Sequence, residues 1–148
     1  MKILVINGPN LNMLGKRDAA HYGADTLADV EDRLRARADE LDVDVDFFQS
    51  NHEGAIVDHL QASAGSTDGV IINAGALTHY GLSLKDALAD SGLPIAEVHI
   101  SNIHAREEYR HHSVVAPIAV GQVAGFGWRG YLYALDFLAA HIGEARAE

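Results

Sequence analysis

The sequence predicts an α/β fold built on one open, doubly wound sheet of five parallel strands. Short β-branched runs alternate with helical stretches along the 148 residues, as repeated βα units require. The runs KILVIN and VIIN lack polar alternation, which is typical of parallel strands that are covered on both faces. No repeat or linker interrupts this order. We therefore expect a single domain over residues 1–148, a flavodoxin-like three-layer sandwich.

The elements follow from local patterns taken in chain order. Strands are predicted at residues 3–6, 43–48, 69–73, 95–100 and 115–120, and helices at 26–41, 54–64, 83–91 and 130–142. In the first helix, apolar residues recur at the 3, 4, 4, 3 spacing of one buried face: Leu27, Val30, Leu34, Ala38 and Leu41. The loop at about residues 8–23 is long yet too apolar for disorder, so it is expected to be an ordered lid or binding loop.

Composition narrows the classes of function. The net charge of −10, with no run of Lys and Arg to offset it, argues against a nucleic-acid partner. No apolar run approaches the roughly 20 residues of a membrane span, so no membrane partner is expected. The absence of cysteine excludes disulfides, thiolate metal sites and a cysteine nucleophile. The start MKILVING lacks the pattern of a signal peptide, and a cytoplasmic location is expected.

Polar residues follow four of the five predicted strands. In open α/β sheets the ligand lies outside the carboxyl ends of the strands, so these residues should converge on one cleft. They are Asn10, Arg17 and Tyr22 after the first strand, Gln49, Ser50, Asn51, His52 and Glu53 after the second, Asn73 and His79 after the third, and His99 and Ser101 after the fourth.

Two pairs of residues suggest acid–base chemistry. Arg17 and Tyr22 lie five residues apart, and a cation near a phenol lowers the pKa of the phenol, so Tyr22 is a candidate base. Glu97 and His99 point to the same side of a strand, because side chains alternate with a period of two. A carboxylate beside an imidazole fixes its tautomer and suits a general acid. The alternative for His99 is a hydrogen-bonded structural histidine.

Other motifs carry weaker signals. GFGWRG (125–130) matches a dinucleotide-binding pattern, but it lies on the last βα unit and lacks the following strand, which favours packing glycines. HAREEYRHH (104–112) has no zinc-like ligand pairs and is expected to supply one or two arginines to an anionic substrate, with Arg106 and Glu107 as a possible surface pair. Asp86 is either a ligand or a first-turn helix charge. No G-x-S-x-G elbow or Walker loop is present.

Together these stretches resemble type II 3-dehydroquinate dehydratases over nearly the whole chain. The resemblance rests on NGPNLNMLGKR, the Tyr22-Gly23 pair, QSNHEG, INAGALTH, EVHISNIHAREEYRHHS and GFGWRGYLYAL, which occur in this order. It implies dehydration of 3-dehydroquinate to 3-dehydroshikimate by anti elimination through an enolate, in the shikimate pathway to chorismate and aromatic amino acids. It also implies a flavodoxin-like fold, a homododecamer, and neither a metal nor a cofactor.

The same resemblance implies a role for individual residues. Tyr22 would be the base, Arg17 would hold its phenolate, His99 would be the acid, Glu97 would orient His99, and Asn10 would stabilise the enolate through a water. The residues that would bind substrate are Asn73, His79, Asp86 and Arg110 at the ring hydroxyls and the amides of Ile100 and Ser101 at the carboxylate. The sequence departs from the family at Tyr80, Gly81 and Lys85, and it lacks the proline common before Tyr22.

Three alternatives remain open from the sequence. A Schiff-base lyase would use a desolvated lysine, for which Lys2, Lys16 and Lys85 are poorly placed. A receiver domain or nucleotide binder would share the fold, but a receiver needs acidic residues where Asn7 and Asn73 stand. Quinate breakdown would use the same chemistry in a different pathway.

Overall fold

The structure is a computed structural model that describes residues 1–16 and 24–148. It contains a sheet of five parallel strands in the order β2-β1-β3-β4-β5. The strands are β1 (Lys2–Asn7), β2 (Asp44–Gln49), β3 (Gly69–Asn73), β4 (Ile95–His99) and β5 (Gly121–Ala124). This strand order is the flavodoxin-like one, and it confirms the predicted fold class.

Four helices cover the two faces of the sheet. They are α1 (Leu27–Leu41), α2 (Glu53–Ser63), α3 (Leu82–Asp90) and α4 (Arg129–Ala147). Ile3 and Val5 of β1 pack with α1 and α4, whereas Leu4 and Ile6 pack with α2 and α3. The alternation follows from the two-residue period of a strand, and burial on both faces explains why residues 3–6 of β1 are all apolar. Within the described ranges, no helix has the length and apolar character needed to cross a bilayer.

The first helix shows how local sequence sets the boundaries of an element. Thr26 caps α1 by accepting a hydrogen bond from the Asp29 amide at 3.1 Å, and Asp29 accepts one from the Thr26 amide at 2.9 Å. This reciprocal capping satisfies two amides that the first helical turn leaves without partners. The helix ends at Asp42, which adopts a left-handed φ of 55°. Val30, Leu34 and Ala38 are buried, so the predicted apolar face is confirmed.

The predicted fifth strand at residues 115–120 is wrong. Residues Ala116–Ile118 form a 3-10 turn with Pro117 in its first positions, and the strand begins only at Gly121. Proline fixes φ and has no N–H to donate to a ladder, so the apolar run VVAPIAV cannot continue as a regular strand. The shift matters for the site, because it places Gln122 opposite Glu97 in the β4–β5 register.

The carboxyl ends of β1 and β3 approach each other closely. The Gly8 amide donates to the Asn73 carbonyl at 2.8 Å, and a Cβ on Gly8 would lie 2.4 Å from the Ala74 carbonyl oxygen. Only glycine fits here. After Gly8 the chain passes through Asn10, whose φ is 70°, into a 3-10 turn at Leu11–Met13. Arg17 and Tyr22, with the rest of residues 17–23 of the predicted lid, lie outside the described residues.

The only tryptophan of the sequence packs beside the start of α1. The Arg33 guanidinium lies 4.0 Å from the centre of the Trp128 ring and that of Arg129 lies 4.5 Å from it. Arg33 also donates to Asp25 at 2.7 Å. Gly15, with a φ of 86°, lies against Ala24 and Asp25, so the chain on either side of residues 17–23 meets at this point. Trp128 therefore stands next to the base of that segment.

Candidate active site

A polar cavity opens at the carboxyl ends of β1, β3 and β4, as expected for a doubly wound sheet. Seven of the residues predicted from the sequence line it: Asn10, Asn73, His79, His99, Ile100, Ser101 and Arg110. The remaining lining residues were not predicted as site residues: Pro9, Leu11, Gly75, Ala76, Ile103 and Arg106. The strand ends therefore bring together residues from positions 9 to 110 of the chain.

The other predicted site residues lie elsewhere. Glu97 is fully buried behind His99 and does not line the cavity. Asp86 is exposed on α3 and is not among the lining residues, so its role in substrate binding stays a prediction. Arg17 and Tyr22 belong to the segment outside the described residues, and the predicted base and its cation therefore stay predictions as well.

Glu97 is held by donors from four directions. Its Oε1 accepts hydrogen bonds from Ser113 Oγ at 2.5 Å and from Thr78 Oγ1 at 3.1 Å. Its Oε2 accepts from His99 Nε2 at 3.0 Å and from the Gln122 side-chain amide. Burial alone would raise the pKa of Glu97, but the hydrogen bonds from His99, Ser113 and Gln122 outweigh it and hold the pKa below its usual value. Glu97 is therefore an ionised carboxylate in the interior.

This carboxylate fixes the tautomer of His99. An ionised carboxylate only accepts, so His99 Nε2 carries a proton and donates it to Glu97. The imidazole is 5% exposed and lines the cavity. Nδ1 is consequently the ring nitrogen that can give a proton to a bound molecule. The predicted pairing of Glu97 with His99 is confirmed, and the geometry suits a general acid.

His79 lines the same cavity, but its free ring nitrogen is Nε2 and not Nδ1. Its Nδ1 donates to the carbonyl oxygen of His112 at 2.7 Å, because a carbonyl can only accept. Burial lowers the pKa of His79, and the nearby His99 and Arg110 lower it further, against the opposing effect of the His112 carbonyl. In its neutral form His79 offers Nε2 as an acceptor, which fits a substrate hydroxyl.

Two guanidiniums make the cavity positive in a chain of net charge −10. Arg110 pairs with Glu107 at 2.6 Å. Arg106 is only 12% exposed; its Nη1 donates to Ser101 Oγ at 3.4 Å, and its Nε lies 3.9 Å from Glu107. The expected pairing of Arg106 with Glu107 is present, but Arg106 also forms part of the cavity wall. Arg106 is the first arginine of the HAREEYR run, which is predicted to supply one or two arginines to an anionic substrate.

A second buried network lies beside Asn73. The Tyr131 hydroxyl donates to Asn7 Oδ1 at 2.6 Å and accepts from Asn73 Nδ2 at 2.9 Å. The Gly75 amide in turn donates to Asn73 Oδ1 at 3.1 Å. Tyr131 is completely buried, and burial raises its pKa well above the ordinary value. This tyrosine stays neutral and orients Asn73. The sequence signal was an asparagine at the carboxyl end of each apolar run, KILVIN and VIIN, and the register of the structure pairs these two residues, Asn7 and Asn73.

The described part of the site supplies an acid, oriented amides and positive charge. Asn10 is exposed, and its backbone N–H donates to Asn51 Oδ1 at 3.0 Å. Ile100, Ser101 and Arg106 line the cavity together, and Arg106 donates to the Ser101 hydroxyl, so its positive charge suits a carboxylate there. Among the described residues, no group of three or more His, Cys, Asp or Glu side chains is placed to hold a metal ion.

The chain is similar to known proteins along almost its whole length. The family described as dehydroquinase class II matches residues 1–139. A 3-dehydroquinate dehydratase of Herpetosiphon aurantiacus is 58% identical over 137 residues, which are 93% of this chain and 95% of that protein. One of Roseiflexus castenholzii is 56% identical over 144 residues, 97% of this chain and 92% of that protein. A crystal structure of type II dehydroquinase from Butyrivibrio crossotus has a TM-score of 0.91 at 46% identity, covering 93% of this chain and 97% of that chain.

Proposed function

Because this chain belongs to the dehydroquinase class II family, we propose that the cavity at the ends of β1, β3 and β4 is its active site. The activity is that of a hydro-lyase, the dehydration of 3-dehydroquinate to 3-dehydroshikimate in the shikimate pathway. The observation that carries the site assignment is the Glu97–His99 pair, which presents a tautomer-fixed imidazole to a cavity that also contains two arginines. None of the described lining residues is a lysine, which disfavours the Schiff-base alternative.

The substrate is a carboxylate, and the positive wall of the cavity suits it. We propose that the amides of Ile100 and Ser101 bind the carboxylate. Arg106, which donates to Ser101 Oγ, adds positive charge beside them. Binding by backbone amides and a guanidinium gives charge-assisted hydrogen bonds, which are stronger than neutral ones. Asn73, His79 and Arg110 lie in the same cavity and are proposed to bind the ring hydroxyls, with Asp86 contributing from α3.

Loss of the hydroxyl requires an acid. A hydroxide ion is a poor leaving group, so the C1 oxygen must be protonated as the C–O bond breaks. We assign this proton to His99 Nδ1, since Nε2 is held by Glu97. Glu97 remains ionised and stabilises the protonated imidazole throughout. The departing group leaves as water, and the imidazole is neutral until it is protonated again.

Removal of the C2 proton requires a base and a stabilised enolate. We propose Tyr22 as the base, acting as tyrosinate, with Arg17 holding the phenolate. An ordinary tyrosine has a pKa of about 10, and lowering it by about three units requires about 4 kcal/mol of differential stabilisation. A close guanidinium in a site shielded from water can supply much of that. Asn10 at the cavity is proposed to stabilise the enolate oxygen through a water. The two steps together form an anti elimination.

We further propose that residues 1–148 act as one catalytic domain with a lid at about residues 8–23, that twelve copies assemble, and that the enzyme works in the cytoplasm. Support for self-association comes from apolar side chains that are more than 40% exposed beside β5 and on α4. They are Val120, Phe126, Tyr133 and Phe137. Contiguous apolar surface of this kind usually marks an interaction site. Light scattering should give a mass twelve times that of the chain, and cell fractionation checks the location.

The test of the proposed function uses the enone absorbance formed from 3-dehydroquinate, without added metal. The wild-type chain should be active, and His99→Ala should lose between 10² and 10⁴ in kcat, the usual contribution of a general acid. His99→Ala should still exchange the C2 proton in deuterated water, because the base is untouched. His141→Ala, a substitution of a half-buried histidine of α4 that lies outside the cavity, is the matched control and should keep the wild-type kcat. An inactive wild type refutes the proposal, and an active His99→Ala refutes the acid assignment.

A further inference from the structure

The buried carboxylate behind His99 has no vacant acceptor position. A carboxylate offers about four lone-pair sites. All four are taken by Ser113 and Thr78 at Oε1 and by His99 and Gln122 at Oε2. Thr78 and Ser113 each have one hydroxyl hydrogen, so both hydrogens point at Glu97 when all four bonds are made. The oxygens of these hydroxyls lie 3.2 Å apart. Glu97 therefore has no room for a proton unless a donor is displaced.

The donors come from separate parts of the chain that are themselves tied together. Ser113 Oγ also accepts from the amides of Val115 and Ala116 at 3.2 and 2.9 Å, which orients its hydrogen toward Glu97. The Val114 amide donates to the Thr78 carbonyl at 2.8 Å. Gln122 reaches Glu97 from the neighbouring strand, because the register pairs the two residues. The turn after β3, the segment before β5 and β5 itself thus converge on one carboxylate.

We propose that Thr78, Ser113 and Gln122 are positioning residues that keep Glu97 charged and fully occupied, so that His99 transfers protons only through Nδ1. The proposal rests on the proposed function of His99 as the general acid. A carboxylate with a vacant lone pair could draw the Nε2 proton away from His99 and hold it. With all four sites filled, the proton stays on Nε2, and the negative charge behind the imidazole is constant while the reaction proceeds.

The surrounding charged groups do not replace this function. His79 and Arg110, with Arg106, line the same cavity as His99 and are neutral or positive, so none can supply the stabilising negative charge. On β5 the neighbour of Glu97 is the neutral Gln122. The buried titratable residue of α4 near this edge is Tyr131, a neutral phenol. In the part of the chain that the structure describes, Glu97 is therefore the negative group in direct contact with the imidazole, while Glu107 pairs with Arg106 and Arg110.

Gln122 gives the sharpest test, because it is exposed on an edge strand and its substitution leaves the core intact. Gln122→Met removes the donor at similar length. We expect kcat to fall about 10-fold, the equivalent of one hydrogen bond to a charged group, while KM changes little. The basic limb of the kcat profile should move to higher pH, because Glu97 stays ionised there and, with one donor fewer, attracts the Nε2 proton of His99 more strongly. Gln122→Glu should move it further in the same direction, since it adds a second carboxylate next to Glu97 and thus more negative charge behind the imidazole.

Two comparisons make the experiment decisive. Ser113→Ala should reproduce the shift of the basic limb, and Gln61→Met, the same change at an exposed position of α2, should leave both kcat and the profile unaltered. Thermal melts establish that each variant is folded. The proposal is overturned if Gln122→Met and Ser113→Ala keep the wild-type limb, whether or not kcat falls, because a purely structural role would lower activity without moving it. Failure of the proposed function would instead appear as an inactive wild type.

Discussion

Two buried polar clusters lie at the same edge of the sheet, and they differ in charge and in the residue that each one orients. The Glu97 cluster is charged, with four donors around one carboxylate. The Tyr131 cluster is neutral, with a phenol that bridges the side chains of Asn7 and Asn73. Both sit behind a residue that lines the cavity, namely His99 in the first case and Asn73 in the second.

The difference shows how burial is used for chemistry and for recognition. Burying a charge is costly unless it is paired and hydrogen-bonded, so the charged cluster needs every donor it has. In exchange it fixes the tautomer of His99. The neutral cluster avoids this cost and fixes only which way an amide points. The first cluster should therefore control kcat and its pH dependence, and the second should control substrate affinity.

The largest effect is expected when the charge itself is removed. Glu97→Gln puts an NH₂ group against two of the four donors and leaves His99 without its negative partner. We expect kcat to fall by at least 10²-fold. The free energy of unfolding should fall by about 3–5 kcal/mol, as for other broken buried pairs. Steady-state kinetics and urea denaturation measure both effects, with Glu144→Gln on the exposed face of α4 as the control. Near-wild-type kcat would contradict the distinction between the clusters.

An intermediate effect is expected at the neutral cluster. Tyr131→Phe leaves Asn7 Oδ1 buried without its donor, which should cost about 1–3 kcal/mol of stability. Because Asn73 loses its orientation, KM for 3-dehydroquinate should rise several-fold while kcat changes less and the pH profile stays in place. Tyr133→Phe, two residues along the same helix and half exposed, is the control and should do neither. A shifted pH profile in Tyr131→Phe would show that the two clusters are not separate.

The smallest effect concerns the pH dependence of the protein's stability, to which His79 contributes because its pKa is lowered in the folded state. The pKa of His79 is lowered from 6.5, so the unfolded chain takes up its proton at a higher pH than the folded one. Stability is thus fully present above about pH 7 and declines as the pH falls through 6.5 toward the lower folded-state pKa. In thermal melts, Tm should decrease slightly as the pH is lowered from about 7.5 to about 5.5, and this dependence of Tm on pH should be weaker in His79→Gln. An unchanged slope in the variant would contradict this assignment.

The sequence predicts the sheet and the lining of the cavity, since both follow from local patterns. Apolar spacing locates α1, and the rule that ligands lie at strand ends selects Asn73, His79 and His99. Prediction from the sequence fails where one residue changes the backbone conformation, as Pro117 does in the strand predicted at residues 115–120. The supporting residues Thr78, Ser113, Gln122 and Tyr131 were missed. Their hydrogen bonds join positions 16 to 124 residues apart, so no local pattern assigns them a role, although Thr78, Ser113 and Tyr131 lie in motifs that carry the family resemblance.

The single tryptophan gives this enzyme a built-in optical reporter. Two guanidiniums, those of Arg33 and Arg129, lie against the Trp128 ring, and Arg33 pairs with Asp25, two residues after the segment 17–23. Emission from the indole depends on the charges next to it, and no other indole contributes to the signal. Any rearrangement at that junction when a ligand arrives is therefore open to stopped-flow detection, with neither an attached dye nor an altered residue.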